Sequence, residues 1–399
     1  MTGPVVNPIL LILGALVLFY SVSLLVLMAG FARLKRAAAR RPPAQNDVPP
    51  LSIVVAARNE SHNLPRLLDC LFAQDYPAGK FEIIVVDDRS EDGSWDILQR
   101  AAREHPRFRA LHVTDLLPDF APKKRALDLG IRSASGEIIL LTDADCSPPP
   151  TWARAMAGCY TGETNIVLGY SPYRFDQPVP FLVRRMLALD YLSLAAIAAA
   201  SAGWGRPLTA TGTNLSYRRE EFLRTNGFEK IKHWVSGDDD LFVHRAAEDG
   251  WGRFSFATAP ESFVPAAAPS SWRQFANQRA RYASKGRDYD LRVTLGLLAV
   301  YLLNVSLVLG VVGVVGGMTA WALPVFLVWC AKSLFEFLFL ARVAFAFREQ
   351  RLLFYFLPTA LLHPWYVSIF GFAGLLGRFR WKGDDFRKTV EPRHVRNLQ

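Results

Sequence analysis

The chain of 399 residues predicts an α/β fold with a mostly parallel sheet, carried between apolar segments long enough to cross a bilayer. Two observations predict the sheet. Short runs rich in β-branched residues alternate with helical stretches at strand–helix–strand spacing, and each run is apolar throughout, as in a sheet covered on both faces. Each run also ends in acidic or polar residues, at the edge where open α/β sheets bind ligands.

Taken in order, Pro8 to Phe31 is an almost uncharged run of spanning length with no basic residue ahead of it, so it reads as a retained anchor rather than a cleaved signal. Arg33, Lys35, Arg36, Arg40 and Arg41 follow, which by the positive-inside rule puts its C-terminal end in the cytoplasm. The proline-rich stretch from Arg40 to Pro50 reads as a linker. Leu51–Ala57 then runs as a strand into Arg58-Asn59-Glu60, and a helix is expected from Leu64 to Ala73. Phe81–Val86 ends in Asp87-Asp88-Arg89-Ser90, and the turn Asp92-Gly93-Ser94 opens a helix from Trp95 to His105. The run Glu137–Leu141 ends in Thr142-Asp143-Ala144-Asp145. Two carboxylates one residue apart at a strand end can hold a divalent metal and so neutralise a diphosphate. Asp87 and Asp88 can equally cap the next helix.

Val179 to Trp204 is apolar but carries Arg184, Arg185 and Asp190. A span there would put later polar motifs across the membrane from Asp145, so interfacial helices are expected. Further spans are expected at about Val293–Met318, Trp321–Val343 and Leu352–Leu376. Four spans would place the basic tail (Arg378, Arg380, Lys382, Arg387, Lys388, Arg393 and Arg396) outside, against its charge. Pro358 and Pro364 suggest instead that the last segment is a re-entrant pair. Lys332 and Glu336 are spaced to pair on one helix face, either lining an acceptor path or lying in a polar bundle interior.

The expected division is an anchor with its basic flank (1–44), an α/β domain with interfacial helices (45–290), a C-terminal membrane region (291–377) and a basic cytosolic tail (378–399). The net charge of +10 suits an anionic leaflet and an anionic ligand, and no module that reads DNA or RNA is visible, so no nucleic-acid partner is expected. Cys70, Cys146, Cys159 and Cys330 lack paired metal spacing and read as reduced thiols, and His233 and His244 as ordinary core or surface histidines.

The order Val54-Val55-Ala56-Ala57-Arg58-Asn59-Glu60, Val85-Val86-Asp87-Asp88-Arg89-Ser90, Pro122-Lys123-Lys124-Arg125-Ala126-Leu127 and Thr142-Asp143-Ala144-Asp145 resembles glycosyltransferase family 2. The resemblance continues through Gly212-Thr213-Asn214, Gly237-Asp238-Asp239-Asp240-Leu241 and Gln278-Arg279-Ala280-Arg281-Tyr282, covering about residues 50 to 290. It implies a GT-A (Rossmann-like) fold, a nucleotide-sugar donor, a divalent metal (Mn or Mg) and inversion at the anomeric carbon. It further implies that Asp87, Asp88 and Glu60 serve donor binding, that Lys124 lies near the donor, and that Asp145 ligates the metal with Asp143 beside it. Asp238 is implied as the general base, with Asp239 its rival, and Gln278, Arg279, Arg281 and Tyr282 as substrate contacts. Gly237 stands where the family often has glutamate, and Tyr282 where tryptophan is usual.

The expected activity is transfer of a hexose to a lipid-like hydroxyl by an integral protein of the bacterial inner membrane with its catalytic domain in the cytosol. A processive polysaccharide synthase and a non-catalytic membrane scaffold are the alternatives.

Overall fold

The computed structural model describes residues 8–39, 48–115, 117, 119–375, 378–381 and 384–387. Most of the expected linker and the end of the basic tail fall outside the described residues. Strands β1 (Leu51–Ala57), β2 (Phe81–Asp88), β3 (Phe108–Val113), β4 (Ile138–Leu141), β5 (Thr164–Gly169), β7 (Leu215–Arg218) and β8 (Arg253–Ala257) form one sheet. Its order is β3-β2-β1-β4-β7-β5-β8. Val54 of β1 pairs with Ile84 on one side and Leu141 on the other, all parallel. Strand β7 alone runs antiparallel, between β4 and β5. Two-residue strands β6 (Tyr173–Arg174) and β9 (Ala266–Ala267) pair beside the sheet edge.

The apolar runs are buried on both faces because helices cover both. Helices α2 (Leu64–Phe72), α3 (Ser94–Glu104) and α5 (Trp152–Ala157) bury Leu67, Leu71, Leu98 and Trp152 against one face. On the other face, α4 (Pro122–Ser133) and α8 (Asp240–Glu248) share a core with α6 (Phe181–Ala202). Gly130 of α4 meets the sheet so closely that a Cβ there would lie 2.6 Å from Val54 Cγ1. The short α7 (Arg219–Arg224) follows β7.

Helices α1 (Pro8–Ala39) and α10 (Leu291–Val315), and α11 (Ala322–Ala346) and α12 (Phe356–Leu375) each with the 3-10 turn before it, make up the four stretches, among the described residues, that are long and apolar enough to cross a membrane. The core of the sheet domain continues into them, since Phe347, just past α11, packs on Phe31 of α1 and on Tyr170, Phe256 and Phe263 of the domain. Helix α6 is not a span. Its C-terminal half is buried in the domain core, while Phe181, Leu182 and Val183 at its start are exposed. It crosses α1 where Gly30 faces Gly203, a Cβ on Gly203 being 1.9 Å from the Gly30 carbonyl oxygen. Trp204 Nε1 donates to the Val26 carbonyl at 2.8 Å, and Arg33 lies over the Trp204 ring.

The segment expected as a re-entrant pair is one helix, α12, which carries Pro364 within it. Both of its ends return to the sheet domain. Tyr355, just before it, packs against Phe181 at the start of α6. At its other end a Cβ on Gly374 would be 2.5 Å from Ala283 Cβ of α9 (Trp272–Ser284). Phe370 lies against Phe275 and Trp272 of the same helix. Its neighbours β10 (Arg378–Trp381) and β11 (Asp384–Arg387) form a hairpin, and β10 approaches α9. Proline removes one helical hydrogen bond without ending a helix whose surroundings hold it.

Candidate active site

The strand ends assemble one polar edge. The loop after β1 is tied to the loop after β2: Asn59 N–H donates to Ser90 Oγ at 2.8 Å, Glu60 N–H to Ser94 Oγ at 2.9 Å and Ser61 N–H to Asp92 Oδ2 at 3.0 Å. Asn59 and Arg89 both sit at positive φ (52° and 56°), a strained backbone that recurs at ligand-binding loops. Glu60 accepts from Asn63 Nδ2 at 2.7 Å and faces the cleft.

Asp87 and Asp88 separate. Asp87 is fully buried and pairs with His112 Nδ1 at 2.9 Å, a histidine packed on Trp95. Asp88 lines the cleft and pairs with Arg89 at 2.8 Å. Beyond β4, Asp143 and Asp145 open into the same cleft, and Arg174 fixes the turn by donating to the Asp145 carbonyl at 3.0 Å. Cys146 next to them is buried, and burial, then the two carboxylates, push its thiol well up, so it stays protonated.

The three consecutive acids are told apart by their partners. Asp239 caps α8, accepting from Asp240 N–H at 2.7 Å and from Gly212 N–H at 3.2 Å. Asp240 is held by Lys285 at 2.6 Å and by the Tyr289 hydroxyl at 2.7 Å. Burial alone would raise its carboxyl, but the Lys285 ammonium reverses this and keeps it below the usual range. Asp238 turns toward the cleft, where Lys123 Nζ meets its Oδ2 at 2.7 Å. Gly237, standing where the family often has glutamate, has φ of 90°, and a Cβ there would lie 2.5 Å from Leu241 Cδ1, so only glycine fits.

The structure places Lys123 and Lys124 differently from the expectation. Lys124 does not reach the cleft: it is fully buried and donates to the Trp234 and Ser236 carbonyls at 2.6 and 2.8 Å. Burial lowers its ammonium to about 8, with partial compensation from Asp238 and Asp239. It clamps the loop that leads into Asp238. Lys123 is the cleft lysine, bridging Asp143 at 2.8 Å and Asp238 at 2.7 Å. Burial would lower its ammonium, but the two carboxylates more than reverse this and hold it above the ordinary lysine range.

Helix α9 closes the cleft. Gln278 accepts from the Tyr173 hydroxyl at 3.2 Å, and Arg281 and Tyr282 line the opening. Arg279, expected as a substrate contact, is only 3% exposed and pairs with Asp190 of α6 at 2.6 Å beneath Phe275, Tyr282 and Tyr366. Its charge locks α9 to α6. The Tyr282 ring lies near Arg279, Arg281 and Lys285, a cation-facing aromatic surface.

Asp143 and Asp145 offer oxygen donors only, which suits Mg or Mn. Asp143 and Asp238 already close around a cation, the Lys123 ammonium, so the cleft is built to hold positive charge. No group of three or more His, Cys, Asp or Glu side chains is gathered for a metal among the described residues.

These elements line one cavity of about 2090 Å³. Its lining includes Asp88, Asp143, Asp145 and Asp238 of the sheet domain together with Leu24, Leu297, Tyr301, Phe339 and Phe370 of α1, α10, α11 and α12.

Residues 52–222 match the family model "Glycosyl transferase family 2". The chain is 27% identical over 358 residues to an N-acetylglucosaminyltransferase of Sinorhizobium fredii, covering 81% of each chain. It is 34% identical over 101 residues to the beta-monoglucosyldiacylglycerol synthase of Trichormus variabilis, covering 25% of this chain and 21% of that one. It spans 33% and 56% of the length of two further glycosyltransferases that it matches. In fold it is similar to the mannosyltransferase PcManGT of Pyrobaculum calidifontis, solved with GDP-Man and Mn2+ (TM-score 0.51, 20% identity, 89% of this chain and 99% of that one).

Proposed function

We propose that this chain, whose residues 52–222 belong to glycosyl transferase family 2 and whose sheet domain has the GT-A fold, moves a hexose from a nucleotide sugar to a lipid hydroxyl with inversion. The observation that carries this reading is the single cavity joining the acids of the sheet edge to the apolar interior of the helical layer. A nucleotide sugar is water-soluble and an acceptor tail is not, and this cavity has a wall for each.

Asp238 receives the proton of the acceptor hydroxyl, because Asp239 and Asp240 are engaged as cap and ion pair. Lys123 neutralises the carboxylates before substrate enters and can turn its ammonium to the diphosphate. Asp88 and Glu60 face the donor from the loops after β2 and β1, while Asp87 acts from behind through His112. Asp145 and Asp143 would hold a divalent metal, which would supply charge to the departing nucleotide diphosphate. Arg281 and Tyr282 close over the donor, and Arg279 keeps their helix in place. A beta-monoglucosyldiacylglycerol synthase among the relatives supports a lipid acceptor.

The direct test is nucleotide release by the purified protein in native lipids, with a panel of nucleotide sugars and Mn or Mg. Release with one donor, dependent on metal and lost in Asp145→Asn, is expected. Unchanged donor affinity in Asp145→Asn removes that residue from the metal site.

The orientation proposed has α1, α10 and α11 crossing a bacterial inner membrane, with α12 packed among them at His363 and both of its ends returned to the cytosolic side. It rests on the return of both α12 ends to the domain and on the basic residues 33–41 and 378–396. A reporter fused after Gln399 is then expected on the cytosolic side. A periplasmic reporter would contradict this and make α12 a span.

A further inference from the structure

Below the catalytic acids the cavity wall carries a second polar cluster that the transfer reaction does not use. Tyr20 of α1 donates through its hydroxyl to Glu336 Oε1 of α11 at 2.6 Å. Lys332 Nζ reaches the same oxygen at 2.6 Å and His363 Nδ1 of α12 at 3.3 Å. His363 Nδ1 lies 3.9 Å from Glu336. Tyr20, Glu336 and His363 all line the cavity, while Lys332 is fully buried behind them.

Its depth follows from the helices that carry it. Glu336 is ten residues before Ala346, where α11 meets the domain, and at 1.5 Å per residue that is about 15 Å. Tyr20 is eleven residues before Phe31, the point where α1 meets the same core, which gives a similar depth of about 16 Å. Both place the cluster near the middle of a hydrocarbon layer of about 30 Å. Ionisable groups at that depth are costly, and they usually mark a polar path or site.

The chemistry of the cluster selects its guest. The Lys332 ammonium is balanced by the Glu336 carboxylate, so the pair adds no net charge. The carboxylate is in the wall and the ammonium behind it, which repels an anion and welcomes a neutral hydrogen-bonding group. The same cavity is lined by Leu24, Leu297, Tyr301 and Phe339, and by the mutually neutralised Asp190–Arg279 pair.

We propose that Glu336, His363 and Tyr20 form a second acceptor subsite that holds an uncharged hydroxyl or amide far along the acceptor chain. The acceptor is then an amphiphile with two neutral polar groups separated by an apolar stretch, one glycosylated at Asp238 and the other held at mid-membrane depth. This rests on the glycosyl-transfer reading above and narrows its acceptor class.

The test uses the full-length protein in lipid nanodiscs with the donor identified by nucleotide release. Acceptors are 1-alkanols and matching α,ω-alkanediols of graded chain length. In the parent protein kcat/KM for the diol is expected to exceed that for the alkanol by about tenfold at one chain-length window, the effect of one buried hydrogen bond to a charged group. The diol-to-alkanol ratio is expected to fall toward one in Glu336→Gln. Because Glu336→Gln leaves Lys332 without its counter-ion and can unfold the bundle, Tyr20→Phe, which removes one hydroxyl, is measured beside it and should lower the same ratio. Equal use of alkanols and diols by the parent, or a ratio unmoved in Tyr20→Phe, overturns the subsite and leaves lipid glycosylation standing. Transfer to neither series, nor to a total lipid extract, overturns the glycosyl-transfer reading itself.

Discussion

Asp238→Asn is expected to lower transfer by about 10²–10⁴-fold, the range for loss of a general base, while donor affinity stays within a few-fold of the parent. The expectation comes from how the three consecutive acids are held. An amide at position 238 keeps the shape of the side chain and removes its ability to accept a proton. Lys123 loses one of its two carboxylate partners but keeps Asp143. Asp239→Asn is the companion experiment. Asparagine caps helices about as well as aspartate, so α8 should persist; its NH2 group cannot accept from Gly212 N–H as Oδ2 does, so that contact is lost and only a small drop in activity is expected. Activity lost in Asp239→Asn and kept in Asp238→Asn would move the base by one residue.

Lys123→Met is expected to cost about 10²-fold in kcat/KM, mostly through weaker donor binding, because it leaves Asp143 and Asp238 facing a diphosphate with no cation between them. Lys124→Met should behave differently. It removes two hydrogen bonds that hold the Trp234 and Ser236 carbonyls, so its first effect is on the melting temperature and on the placement of Asp238. The donor dissociation constant separates the two variants. Parent-like donor affinity in Lys123→Met would remove the cleft role from that lysine. The pH dependence of Lys124 also has a sign. Its folded value of about 8 lies below the usual lysine value, so the unfolded chain binds more protons between the two and this group favours folding increasingly as pH rises through that window.

The parts of the site legible in the sequence were the local ones. An apolar run that stops at Asp87-Asp88 or at Asp143-Ala144-Asp145 is a strand end wherever the strand lies in the sheet, so the cleft acids were found without knowing the strand order. The mostly parallel sheet was legible for the same reason, but the reversed β7 was not, since nothing local to Leu215–Arg218 marks its direction. Neighbouring residues on a helix point about 100° apart, so one of Lys123 and Lys124 had to face away, and only packing decides which. The engagement of Asp240 depends on Lys285 and Tyr289, some 45 residues later, and that of Arg279 on Asp190, 89 residues earlier. The partner of Glu336 on α1 is 316 residues away, so its cavity role was legible only as one of two options. Hydropathy also marked α12 as a membrane segment without showing that both its ends return to the domain.

The measurement that tests the central claim most directly follows the sugar itself. Protein in native lipids is given the nucleotide sugar that supports release, labelled in its sugar, and the label is traced between the aqueous and lipid phases. The account expects label in a lipid product of discrete mass, with an anomeric configuration opposite to that of the donor. Label in a long water-soluble polymer would make the chain a processive synthase. Retained configuration would contradict the single-base chemistry assigned to Asp238.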